Sequence, residues 1–302
     1  MVCIIDGSNY VNISYSIFIR MEQEKNGKDY VIKEEDLGFF WHLFIMKIKD
    51  FFTSYKELVF CFEGLNSTKW RKEVYPLYKE NRAQRKEDPN YKFLPQIYKQ
   101  TEEFLSLFHC KVMRVEDCEA DDCIYALSEI YTKKGDQVLI ASSDKDLVQI
   151  MNYFEGVTVY SPIKRVNQQK DENILLEKAI CGDSSDNISG VHGVGPKTLE
   201  KMLSDKAVWN KKMTPENMQV YKTILKIVDL REYPKKYHDK IVDYFNTHDY
   251  NKFNPDGVEN FYLKYGLLKC QSEWSELCGN IEMLLNGNAE ISAEKELEDL
   301  LK

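Results

Sequence analysis

Short apolar runs rich in β-branched residues recur through the first half of the chain, and most of them end on an acid. Residues 2–5 lead into Asp6, 58–62 into Glu63 and 111–115 into Glu116. Residues 138–141 lead through two serines into Asp144, and 157–160 end at Ser161-Pro162. Runs of four or five such residues, bounded by turn formers, read as strands buried on both faces. Between them, apolar residues repeat at helical spacing over 37–55, 96–108 and 120–131. Strand alternating with helix predicts an α/β fold, a largely parallel central sheet flanked by helices. After about residue 165 the strand signals fade, and 172–181, 197–203, 215–229, 237–247 and 258–265 read as helices. The expected organisation is an α/β core over 1–165 and a helical second domain over 166–286. An acidic tail over 287–302 follows, with five acids, two lysines and a few apolar residues.

In a parallel sheet the carboxyl ends of the strands share one edge, and ligands bind beyond it. Asp6, Glu63 and Asp144 would therefore converge from distant parts of the sequence. One acid after a strand is ordinarily a turn former or helix N-cap; three at one edge concentrate negative charge. Glu119-Ala120-Asp121-Asp122 opens a helix and places Glu119 and Asp122 on one side of its first turn. Acids favour helix N-termini for the dipole alone, but three in four residues repel one another unless a cation is near. Asp146 follows Asp144 by two residues, and Asp183 and Asp186 form a further pair three apart. Without these nine acids the net charge of −8 would be +1, so the chain's whole acidity fits into one candidate site. An all-oxygen ligand set suits a hard cation such as Mg²⁺ or Mn²⁺. The five His are scattered and read as packing or surface residues.

Composition adds limits. With 302 residues, 43% hydrophobic and 30% charged, the chain is long enough for a sizeable core and is not disordered. It has no apolar run near the roughly 20 residues of a membrane helix, and its first residues do not read as a signal peptide. Eight Cys without a CxxC pair argue against a disulfide framework or zinc site, and for a reducing cytoplasm. A net charge of −8 argues against nucleic acid, but its distribution does not. Residues 69–99 hold nine Lys/Arg against four Asp/Glu, a local +5, with Trp70, Tyr75, Tyr78, Tyr91, Phe93 and Tyr98 interleaved. Such a stretch suits a phosphate backbone with stacking bases; a solvated helix laced with ion pairs explains it equally well. Beside an acid-rich metal site, it points to phosphodiester hydrolysis with paired metals.

These residues, in this order, resemble the 5′-nuclease family of flap endonucleases and 5′→3′ exonucleases. Asp6-Gly7-Ser8-Asn9 resembles the family's N-terminal acidic motif, and Tyr78-Lys79-Glu80-Asn81-Arg82 its helical-arch signature. Glu119–Asp122 resembles its EADD motif, Ser142–Asp146 its S-x-D-x-D motif, and Gly182–Asn187 its GDxxDN motif. The last continues into the glycine-rich turn of a helix–three-turn–helix element. Length, Tyr233-Pro234 and residues 261–268 are most similar to the bacteriophage ribonuclease H branch.

The resemblance implies a structure-specific 5′-nuclease that cuts 5′ ends or flaps of DNA and RNA–DNA duplexes and removes RNA primers in replication. It implies two divalent ions. Asp6, Glu63, Glu119, Asp121, Asp122 and Asp144 would hold or water-bridge the first; Asp146, Asp183 and Asp186 would complete a second, weaker site. The family has Asp where this chain has Glu63, whose extra methylene still reaches a metal or its water. Lys79 and Arg82 would neutralise charge on the scissile phosphate. An arch over about 66–100 would admit a single-stranded 5′ end, with Arg71, Lys72 and Tyr78 touching the nucleic acid. Gly190, Gly193, Gly195, Lys197 and Thr198 would grip duplex phosphates through exposed N–H groups and a helix N-terminus, and a monovalent cation would bind at the turn. A monomer, without membrane attachment, working with a sliding clamp or single-strand-binding protein in the host cytoplasm completes the expectation. Two other classes stay open on the residues alone. A PIN-type metal ribonuclease shares strand-end acids but lacks the arch signature and glycine turn. A non-catalytic DNA-structure-binding protein has no use for nine acids facing a polyanion.

Overall fold

The computed structural model describes residues 1–267 and 271–286, without the side chains of 83–86 and 271–273. The acidic tail and the end of the 261–268 segment lie outside the described residues. Six strands form one sheet: β1 (Val2–Asp6), β2 (Glu57–Phe62), β3 (Lys111–Arg114), β4 (Val138–Ala141), β5 (Val157–Ser161) and β6 (Val166–Asn167). Their order is β3-β2-β1-β4-β5-β6. The first five are parallel, and β6 closes the edge antiparallel to β5. The helices are α1 (Gly7–Asn26), α2 (Leu37–Ser54), α3 (Lys69–Val74), α4 (Leu94–Leu105), α5 (Ala120–Lys133), α6 (Ile174–Cys181), α7 (Pro196–Ser204), α8 (Lys206–Lys212), α9 (Pro215–Val228), α10 (Lys235–Thr247), α11 (Pro255–Lys264) and α12 (Gln271–Leu285).

Successive strand residues point to opposite faces, so each strand feeds two cores. Val2, Ile4, Val59, Cys61, Val138 and Ile140 pack with α5 and with side chains of α9 and α10, such as Ile227 and Ile241. Cys3, Ile5, Leu58, Phe60 and Phe62 pack on the other face against α1, α2, α4, α11 and α12. Trp41 is the hub there, with rings of Phe40, Phe44, Phe104 and Phe261 around it. The expected helical second domain thus shares its cores with the sheet: α9 to α12 cover the sheet's two faces. Only α6 to α8 carry a small core of their own, around Ile180, Val194, Leu199 and Met202. Among the described residues, seven cysteines are free thiols, five of them buried. Among the described residues, no helix is long and apolar enough to cross a membrane.

The strand order places the sheet's topological switch point between β1 and β4, where the chain leaves β1 for β2 on one side and later returns to its other side. A crevice forms at such a point beyond the carboxyl ends of the strands, and Asp6 and Asp144 stand there.

Residues 66–100 hold α3, two 3-10 stretches (Glu80–Glu87 and Pro89–Tyr91) and the start of α4. The aromatics expected to stack on bases are instead packing groups. Trp70 and Tyr78 are buried in one core, with Tyr75 against it, and Tyr91, Phe93 and Tyr98 rest against the other. The basic residues Lys72, Lys92 and Lys99 remain exposed.

Candidate metal and phosphate site

Asp6 is both the last residue of β1 and the N-cap of α1, with no linker between them. Its carboxylate accepts hydrogen bonds from the Asn9 amide at 2.9 Å and Ser142 Oγ at 2.8 Å. Ser142 Oγ also accepts from the Asp144 amide, and Ser143 is tied to Asn9 Oδ1 by amide and hydroxyl. The Asp6-Gly7-Ser8-Asn9 and Ser142–Asp146 motifs are therefore laced together across the switch point. Asp144 caps the 3-10 stretch Lys145–Asn152 by accepting from the Asp146 amide. Gly7 has no room for a side chain, because a Cβ there would lie 2.4 Å from the Phe62 ring.

Glu119 caps α5 in a capping box with Asp122, whose Oδ2 accepts from the Glu119 amide at 2.9 Å. Arg71 reaches into this turn from α3. Its guanidinium is 2% exposed, donates two parallel bonds to Asp122 at 2.7 and 3.0 Å, lies 2.8 Å from Glu119 Oε2, and donates Nε–H to the Ile227 carbonyl. Arg71 thus faces inward, away from nucleic acid, and its charge stabilises the first turn of α5. Asp122 spends both oxygens on Arg71 and the capping box, which places it behind the site rather than in it. Tyr78, also expected at the nucleic acid, is buried and donates to Glu119 Oε2 at 3.0 Å.

Lys79 has φ 55°, a left-handed conformation that costs a non-glycine residue roughly 1–2 kcal/mol. Two contacts hold it there: its amide donates to the Asp186 carbonyl, and its ammonium lies 2.6 Å from Glu119 Oε1. Burial is the largest single influence and lowers the Lys79 pKa, but Glu119, Tyr78, Glu63 and Asp186 together outweigh it and raise the pKa well above the ordinary value. Arg82 donates to Asp186 at 2.8 Å while half exposed. Asn81 donates to the Ser184 carbonyl, and Asn187 to the Leu77 carbonyl. The arch signature is therefore clasped directly onto the GDxxDN motif.

Electrostatically the acids divide into two groups. Burial, then Glu119, raises the Glu63 pKa to about 7, and burial outweighs two hydrogen bonds to raise Asp6 to about 6. Burial and then Asp144 push Asp121 well up. Glu63 Oε2 is buried without a hydrogen-bond partner. Lys79 lowers all three but does not offset burial and the neighbouring acids, which fits a site built around a further cation. Glu119 is the exception: Arg71 and Lys79 overcome its burial and hold it at about 2. In the second group, Asp146, Asp183 and Asp186 bring ligand oxygens within 4.8 Å of one another, the one such triad among the described residues, and burial raises Asp146 to about 6 although Lys178 opposes it. Lys178 of α6, a residue that no sequence motif singled out, is paired with all three.

Gly182 and Gly190 pack backbone to backbone, where a Cβ on Gly190 would meet Gly182 N at 2.4 Å. Gly190 is consequently buried, a packing glycine rather than a surface for phosphate. Gly195 does face open space, since a Cβ there meets nothing within 4 Å, and exposed Gly193 has only the Lys212 ammonium near it, 3.6 Å from where a Cβ would stand. Gly195 caps α7, Lys197 is exposed in its first turn, and the Thr198 amide donates to the Gly195 carbonyl. The Gly193 carbonyl, where a monovalent cation was expected, accepts from Lys212 Nζ at 3.1 Å. An open cleft of about 970 Å³ runs from Asp144, Asp146 and Lys178 past Asp183 to Lys197.

This fold and this acid cluster define a 5′-3′ exonuclease, and the chain belongs to that family: the 5′-3′ exonuclease N-terminal resolvase-like domain matches residues 1–180. The chain is 25% identical over 246 residues to ribonuclease H of Enterobacteria phage T4, covering 74% of this chain and 79% of that one. It is 34% identical over 213 residues to a 5′-3′ exonuclease of Aquifex aeolicus, covering 66% and 68%. Its fold matches a bacteriophage T5 protein crystallised with metal ions, at TM-score 0.59 and 19% identity over 80% of this chain and 97% of that one. The T5 flap endonuclease in a complex with DNA and metal ions matches at TM-score 0.52 and 19% identity, over 85% and 98%.

Two outcomes follow from the buried charges. Arg71→Met leaves Asp122 and Glu119 buried without their partner, a loss typically of about 3–5 kcal/mol, whereas Lys72→Ala on the exposed side should stay within about 0.5 kcal/mol. Urea denaturation of both variants checks this, and equal small effects would remove Arg71 from its structural role. The second outcome concerns pH in EDTA. Asp6, Glu63 and Asp121 titrate above their unfolded values of about 4, so the native state holds protons that the unfolded chain has released. Their contribution favours the fold at low pH and declines as pH rises from about 4 to about 7. Glu119 and Asp183, held at about 2, act oppositely, supporting the fold above about pH 4 and losing that support as pH falls toward 2. Stability in EDTA should therefore fall between pH 5 and 7, and excess Mg²⁺ should abolish the fall. A rise over that window in EDTA would contradict the unfavourable burial of these acids.

Proposed function

We propose that the chain is a divalent-metal-dependent, structure-specific 5′-nuclease. It hydrolyses phosphodiester bonds at 5′ ends or flaps of DNA and RNA–DNA duplexes, including the removal of RNA primers during replication. The observation that carries this reading is the convergence of under-neutralised carboxylates at the sheet's switch point, with a buried lysine among them. Similarity to a phage ribonuclease H and to a flap endonuclease solved with DNA and metal ions supports it.

Asp6, Glu63, Glu119, Asp121 and Asp144 are the groups that would hold the first divalent ion, Mg²⁺ or Mn²⁺; Asp146, Asp183 and Asp186 would hold the second. When bound, such ions supply Lewis acidity and make water a competent nucleophile at neutral pH. The chain's own residues do the rest. Lys79, fixed by Glu119 and the Asp186 carbonyl, presents a preorganised positive charge to a phosphate over the acids. Arg82 presents a second from the cleft rim. The open Gly193–Gly195 turn, the α7 N-terminus and Lys197 bind phosphates of the duplex strand along the same cleft, without reading sequence. Arg71 and Asp122 hold the first turn of α5 so that Glu119 and Asp121 keep their place.

Asp144→Asn preserves size and removes one ligand charge. Cleavage of a 5′-labelled flap duplex in Mg²⁺ should fall by roughly 10²–10³-fold, of the order that one essential transition-state contact contributes, while binding to the same duplex persists. Wild-type cleavage that survives EDTA, or near-normal turnover by the variant, would overturn the metal-nuclease reading. Lys197→Ala should weaken duplex binding regardless of base sequence and reduce the salt dependence by about one counterion. An unchanged slope in a salt titration of affinity would remove Lys197 from the duplex contact.

A further inference from the structure

Lys178 occupies the middle of the Asp146–Asp183–Asp186 triad. Its ammonium pairs with Asp146, lies 2.9 Å from Asp183 and 3.3 Å from Asp186, and its side chain is 9% exposed. The three acids come from two segments. Asp146 stands in the 3-10 stretch after β4. Asp183 and Asp186 belong to a loop closed by paired hydrogen bonds between Asp183 and Ile188. Lys178 reaches this loop from the preceding helix. Arg82 adds a second cation on Asp186. Two cations thus lie against these three carboxylates, whereas Glu63 in the neighbouring group keeps a buried oxygen with no hydrogen-bond partner. The two halves of the site are unlike: in one the cations Arg71 and Lys79 are paired with Glu119 at its side, and the other holds an ammonium where its carboxylates converge.

We propose that Lys178 is a positioning residue that stands in for the second divalent ion. It holds the triad assembled in the nucleic-acid-free protein and competes with the metal for it. The triad then takes up its ion chiefly when a phosphate-bearing substrate enters the cleft and receives the displaced ammonium. The cleft that Lys178 lines leads directly to Lys197, so a released Nζ remains beside the path proposed for the nucleic-acid strand. Removing an outer partner of a metal site ordinarily weakens metal binding; removing a competitor has the opposite sign, which separates this role from a merely structural ion pair.

This inference rests on the metal-nuclease reading, and its test separates the two. Mn²⁺ binding to the full chain, free of nucleic acid and freed of metal beforehand, is followed by electron paramagnetic resonance and calorimetry for the wild type and for Lys178→Met, Lys178→Gln and Lys178→Arg. The wild type should bind one Mn²⁺ strongly and a second much more weakly. Both neutral variants should tighten the second ion by roughly 10–100-fold, the range over which neighbours tune such sites, and Lys178→Arg should keep it weak. Asp183→Asn added to Lys178→Met should abolish the tightened site. Adding a 5′-flap duplex to the wild type should tighten its second ion. Unchanged or weaker binding of the second ion in Lys178→Met and Lys178→Gln, with the first intact, would overturn the role of Lys178 and leave the nuclease reading standing. Absence of any Mn²⁺ binding in the wild type would overturn both.

Discussion

The dominant constraint on this molecule is the crowding of carboxylates beyond the carboxyl end of the sheet and on the neighbouring Asp183–Ile188 loop, with few buried cations to oppose them. Buried like charges are tolerated only if each is paired, hydrogen-bonded or protonated. The chain uses all three solutions. Arg71 locks Asp122 and Glu119 into the first turn of α5. Lys79 and Lys178 each engage carboxylates near the cleft. Asp6, Glu63 and Asp121 are left with raised pKa values, the deficit that a divalent cation would remove. The fold's inner pairing therefore determines which carboxylates remain available to bind.

The same pairing explains the unusual course of residues 75–82. Lys79 is in a left-handed conformation because Glu119 and the Asp186 carbonyl hold it at its two ends, and Asn81, Arg82 and Asn187 fasten the segment to the GDxxDN loop. A stretch that reads as a solvated basic arch is instead part of the site's wall, and its aromatic residues serve the cores. Ion pairing and packing thus account for most of its features, while the exposed Lys72, Lys92 and Lys99 keep its outer face positive.

Much of this was legible in the sequence, for identifiable reasons. The apolar runs ending in Asp6, Glu63 and Asp144 fixed three strands and, through parallel topology, one common edge. The spacing within Glu119–Asp122 and Asp183–Asp186 marked helix-start and loop acids. Helix α1 escaped notice because its buried stripe mixes Tyr10, Ser14 and Tyr15 with Val11 and Phe18, and because it starts at the final residue of β1. Arg71 and Tyr78 read as nucleic-acid contacts in the sequence because a basic aromatic segment gives no sign of which cation turns inward; only the long-range partners Asp122, Glu119 and Ile227 decide it. Gly190 was read with its neighbours as an open turn, yet its contact with Gly182 is set eight residues away. Lys178 lay in an ordinary helix, and nothing local distinguishes it from a surface lysine.

Cations paired on one side of the cluster would leave Asp6, Asp121 and Asp144 as the carboxylates open to a divalent ion. Anomalous diffraction from crystals soaked in Mn²⁺ tests it most directly. The expected result is a peak contacted by or water-bridged to these acids, with the Arg71–Asp122 pair intact behind it. A peak centred on Asp122 with Arg71 displaced, or no peak among Asp6, Asp121 and Asp144 at saturating Mn²⁺, would contradict it.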